Sequence, residues 1–79
     1  MAHEDEQQPN FVETEEIQKF GFSLDQDVEV IAEGTFRGQE THIVAFTADR
    51  VVVMMAGPLG KPDFKQSFEP KGLRPLPPS

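Results

Sequence analysis

Six consecutive apolar residues, Val51 to Ala56, restrict the fold of this chain more than any other feature. The run reads as a strand, and it lacks the polar alternation of a strand with one wet face. Both its faces must therefore be covered. In a small closed sheet one face points inward. The other needs a cover, and the segment from Phe11 to Phe22 is the candidate for it. Left uncovered, that outer face would be a binding surface.

Strand signals flank the run on both sides. Val28, Val30 and Ala32 alternate with Glu29, Ile31 and Glu33. Gly34 to Gly38 reads as a loop, since its two glycines allow positive φ. Thr41 to Thr47 is β-rich, and plain alternation sets His42, Val44 and Phe46 on one face with Ile43 and Ala45 on the other. Gly57 to Pro62 holds two glycines and two prolines and must be a loop. Phe64 and Phe68 mark a fourth strand, Glu69 to Gly72 a turn, and Leu73 and Leu76 a last short strand. Several short strands, tight turns and no long helix predict a small antiparallel barrel.

Charge divides the chain. The net charge is −7, and residues 1–27 hold eight acids against one base, whereas residues 28–79 hold six of each. The expected organisation is an acidic, largely disordered lead-in at 1–26, a barrel at 27–76 and a Pro-rich tail at 77–79. Within the lead-in, 11–22 is either a short helix or a cover for the barrel, or a recognition segment for a partner. An acidic balance opposes binding to phosphates through a basic field, which leaves direct nucleic-acid binding weak at most. No stretch is apolar enough for a membrane span, and the acidic N-terminus is the opposite of a secretion signal, so the reading is cytoplasmic.

The order of features from Val28 to Leu76 resembles the KOW module of NusG-type transcription factors. A V-x-V strand (Val28, Val30) leads into Gly34-x-Phe36-Arg37-Gly38, similar to that family's G-x-F-x-G loop. An apolar strand (Ile43, Val44), a turn, and Arg50-x-Val52 with Val53 and Met54 follow. Leu59-Gly60-Lys61 stands where the family has an aromatic-Gly-Arg turn, and Phe68 and Leu73 stand at its closing apolar positions. The distance from Val30 to Gly34 is one residue longer than usual in the family. The resemblance implies an all-β fold, a small antiparallel SH3-like barrel of four to five short strands behind a disordered acidic segment. It also implies a non-enzymatic adaptor in transcription or translation, docking on a protein partner such as a polymerase, ribosomal or termination component. Carried over by position, the partner contacts are Phe36, Arg37, Leu59 and Lys61. The bland alternative turns Phe36 inward as a core plug and leaves Arg37 and Lys61 solvated.

Catalytic patterns are missing from the sequence. Cysteine is absent, and His3 and His42 have no second ligand at a zinc spacing. The serines lack a neighbouring base. Gly57-x-x-Gly60-Lys61 lacks the spacing and the following Ser/Thr of a phosphate loop. The expectation is a protein without catalytic residues, cofactor or metal. Two other readings stay open: an acidic inhibitor that occupies a basic groove on a nucleic-acid enzyme, and a structural subunit of a larger assembly.

Overall fold

The computed structural model describes residues 12–77, and the regular structure over that span is almost wholly antiparallel strand. Strands β1 (Gln18–Lys19) and β2 (Phe22–Ser23) form a hairpin of their own. Strands β3 (Asp27–Val30), β4 (Glu40–Phe46), β5 (Val51–Met55), β6 (Phe64–Phe68) and β7 (Leu73–Pro75) form a five-stranded sheet in the order β6-β5-β4-β3-β7. A single 3-10 turn, Pro70–Gly72, leads into β7. The ladder ends on β6 and β7, and no pairing between them closes it among the described residues.

The long strand β4 serves two neighbours in turn. Its first half, Glu40–His42, pairs with β3, and its second half, Ile43–Phe46, pairs with β5. A register shift between Ile43 and Ala45 marks the change. Such a bulge moves every later side chain to the opposite face. Ile43 and Phe46 consequently both enter the core, whereas plain alternation puts them on opposite faces. His42 stays exposed, and Val44 is half-buried.

One cluster gathers the core: Phe22, Val28, Val30, Ile43, Phe46, Val51, Val53, Met55 and Leu73. These residues come from β2, β3, β4, β5 and β7, so the sheet curls around a shared interior. Burying a side chain of this size contributes roughly 1.5–3 kcal/mol, which is the main favourable term for a domain without disulfides. Val52 and Ala45 are buried as well, at 0% and 6% exposure, but lie outside that cluster. They are cross-strand partners, and Val52 alternates with the core-facing Val51 and Val53, so the pair belongs to the outer face. The six-residue apolar run is thus covered on both faces through Val53.

The lead-in from Val12 onward lies against the sheet. The Thr14 N–H donates to the Phe46 carbonyl at 2.7 Å, the Lys19 ammonium to the Thr47 carbonyl at 3.0 Å, and the Asp25 N–H to the Ile43 carbonyl at 2.8 Å. This segment therefore runs beside the part of β4 that β3 leaves unpaired. Instead of a helix, residues 18–23 form the hairpin, whose two turn residues, Phe20 and Gly21, both have positive φ (59° and 84°). That is the geometry of a two-residue hairpin turn whose twist matches its strands. The Phe20 ring is held in this uncommon conformation edge-on to Phe46, with centroids 6.4 Å apart, and under the Lys19 ammonium at 5.2 Å. Of the lead-in expected to be largely disordered over 1–26, residues 12–26 thus include a hairpin bonded to the sheet, and residues 1–11 lie outside the described residues, as do positions 78–79 of the tail.

Candidate functional site

The β5–β6 connection builds the most exposed large apolar point among the described residues. Pro58 to Lys61 close a four-residue turn through the Lys61 N–H donating to the Pro58 carbonyl at 2.8 Å. Gly60 takes its third position with φ +82°, a conformation that L side chains rarely adopt. Leu59 occupies the second position and is 102% exposed. The base of the loop is pinched. A Cβ on Gly57 would stand 2.1 Å from the Pro62 carbonyl oxygen, so only glycine lets the two ends approach this closely. The Gly57 N–H also donates to the Asp63 carboxylate at 3.3 Å. Leu59 is thus presented on a short loop whose closure depends on backbone geometry at two glycines.

Phe36 has a different environment. It is half-buried, packs on the core cluster, and meets Phe64 at 5.8 Å and Phe68 at 6.3 Å between centroids. Offset and edge-on aromatic pairs at such distances contribute roughly 0.5–1.5 kcal/mol beyond their area. The ring thereby ties the Gly34–Gly38 loop to β6, and Phe64 is the first residue after the β5–β6 connection. Phe68, its other partner, is the last residue of β6, so the ring lies along the strand and not only beside the Leu59 loop. Arg37 is exposed, 3.4 Å from the Glu33 carboxylate. Lys61 is exposed and has no ion-pair partner among the described residues. Of the four residues singled out by sequence, three are solvent-facing and Phe36 fixes one of the loops that bear them.

The lead-in carries a second constellation, which the sequence did not reveal. Lys19 forms an ion pair with Glu16 at 3.0 Å in addition to its bond to the Thr47 carbonyl. Glu16 also accepts from the Thr14 hydroxyl at 3.0 Å. The Lys19 hydrogen bond, and then that of Thr14, hold the Glu16 carboxyl below the usual carboxylate range. Glu13 pairs with Lys65 of β6 at 2.8 Å. The Lys19–Thr47 and Glu13–Lys65 contacts join residues 28 and 52 apart in sequence, and no local pattern announces them.

Two of the shallow depressions among the described residues have charged side chains in or around them. Ile31, Ala32 and Gly72 line the first, with Arg50, Lys71, Glu33 and Glu69 around it. Asp27, Glu40, Thr41, His42, Leu76 and Pro77 line the second. His42 and Asp27 are cross-strand partners there. No group of three metal-ligating side chains occurs among the described residues, and no helix among them is long and apolar enough to cross a membrane. Compared with protein-family models, curated proteins and solved structures, the chain matches none.

Proposed function

We propose that this chain is a small non-enzymatic binding module that docks on a protein partner through its loops, with Leu59 and Lys61 on the β5–β6 connection and Arg37 on the Gly34–Gly38 loop. The observation that carries this reading is the complete exposure of Leu59 at the tip of a glycine-closed turn. A large apolar side chain held away from the body gains free energy only when something covers it, at roughly 25 cal/mol per Å² of apolar surface removed from water. A tip of this kind suits an apolar socket on a partner, with Lys61 and Arg37 meeting its acidic rim.

The SH3-like, KOW-type resemblance adds the partner class to this reading: a transcription or translation component, met in the cytoplasm. That resemblance rests on the sequence, on Gly34-x-Phe36-Arg37-Gly38 and on the position of Leu59-Gly60-Lys61, and the small all-β fold is consistent with an SH3-like domain. Phe36 then acts from within, by setting the loop that presents Arg37. Two carboxylates of the lead-in, Glu13 and Glu16, are engaged by the chain's own lysines, and this favours the loops over the acidic segment as the working surface. The test is affinity capture with tagged wild-type protein and with a Leu59→Ala/Lys61→Ala double variant. A transcription or ribosomal component retained by the first and lost from the second supports the reading. Equal recovery by both, with the fold unchanged, removes it.

A further inference from the structure

The acidic lead-in crosses the outer face of the sheet with very little to hold it. Thr14 is bonded to Phe46 at the end of β4, and Glu13 is paired with Lys65 on β6. Strand β5 runs between these two anchors, and its Val52 lies there beside Ala45, both buried. The apolar side chains of the crossing segment do not secure it, because Val12 is 82% exposed and Ile17 69%. Firm anchoring begins only at the hairpin, where Lys19 reaches Thr47, the Leu24 N–H donates to the Ile17 carbonyl at 3.0 Å, and Phe22 enters the core.

We propose that residues 12–16 form a releasable strap, latched by the Glu13–Lys65 ion pair, whose opening uncovers Ala45 and Val52 while the rest of the sheet stays folded. The latch is solvent-accessible on both sides, with side chains 45% and 35% exposed, so dissolved ions weaken it. Releasing it leaves the backbone hydrogen bonds of the hairpin and of the β4–β5 ladder in place, since none of them involves residues 12–16, and the Glu16–Lys19 pair lies at the root of the hairpin, beyond the latch. Local opening of this kind costs much less than global unfolding. The charge of the lead-in acquires a purpose in this arrangement, because it makes the cover over the outer face responsive to ionic strength.

The test is amide hydrogen exchange of the full chain, read at Thr14 and along Val51–Met55. Glu13→Gln is expected to speed exchange at Thr14 by about two- to five-fold, the span of an exposed ion pair, and to leave the β5 amides unchanged. Sodium chloride at about 1 M, where the Debye length falls to about 3 Å, should do the same in the wild type after correction for the intrinsic exchange rate. The charge reversal Glu13→Lys with Lys65→Glu should restore protection. Thr14 exchange that ignores both Glu13→Gln and salt would overturn the proposal. So would equal acceleration of Thr14 and the β5 amides, which would make the strap part of the global fold, and so would a charge reversal that restores nothing.

Discussion

The ammonium of Lys19 donates to the carbonyl of Thr47, 28 residues further along the chain, at 3.0 Å. The same group pairs with Glu16 at 3.0 Å and lies 5.2 Å from the centre of the Phe20 ring. One side chain thus fixes the hairpin to the turn after β4. Replacing Lys19 with Ala should lower stability by about 1–2 kcal/mol, the combined worth of a charged hydrogen bond, a partly exposed ion pair and a cation–π contact that are not fully additive. Urea denaturation of the two proteins measures it.

Glu16 gives the acid limb of the stability curve one identifiable contributor. Its folded pKa is depressed by Lys19 first and Thr14 second. A depressed carboxylate contributes stability above its unfolded value and loses that contribution as pH falls through the folded value. Glu16→Gln should therefore flatten the fall in the urea midpoint below the ordinary carboxylate range and leave its shape between pH 6 and 8 unchanged, limits set roughly by the titration of carboxylates. The Glu16 side chain is 49% exposed, so solvent screens the pair and the change is small.

The bulge in β4 makes a prediction that plain alternation does not. Ile43 and Phe46 face the same core, three residues apart, while Val44 is half-buried. Phe46→Ala should cost about 3–5 kcal/mol and unfold much of the population of so small a domain. Val44→Asn should cost about 1 kcal/mol or less. Thermal denaturation followed by circular dichroism separates the two, and comparable damage from both would place Val44 in the core.

Two glycines set the loop that carries Leu59. Gly57→Ala has no room against the Pro62 carbonyl and should cost about 1–3 kcal/mol by overpacking. Gly60→Ala meets no neighbour but must hold φ +82°, which costs about 1–2 kcal/mol. Both variants should also lower partner capture in proportion to the displacement of Leu59, which distinguishes a positioned tip from an idle loop.

Much of the sheet was legible because its signals are local. Val28 and Val30 alternate with acids, Val51–Met55 is continuously apolar, and Gly57–Pro62 cannot be regular, so β3, β5 and the β5–β6 loop follow from neighbouring residues alone. The phase of β4 was not legible, since a bulge depends on which strands pair with each half and leaves no mark on Thr41–Thr47. The hairpin at 18–23 escaped for another reason. Its turn is Phe20-Gly21, and a phenylalanine at positive φ has support only from Phe46 and Lys19, which tertiary structure brings near. All four candidate contacts came from the family resemblance, and the residues themselves made legible only the Gly/Pro loop that carries Leu59 and Lys61. The inward setting of Phe36 needed Phe64 and Phe68, which only the fold supplies.

Under the proposed function, Leu59 sits in a partner's surface. A photo-reactive benzophenone side chain placed at position 59, and separately at position 15 of the lead-in, tests it in the native host. The account predicts a discrete adduct from position 59 with a transcription or translation component, competed away by untagged wild-type protein. An adduct from position 15 and none from position 59 would contradict it and make the acidic segment the working end.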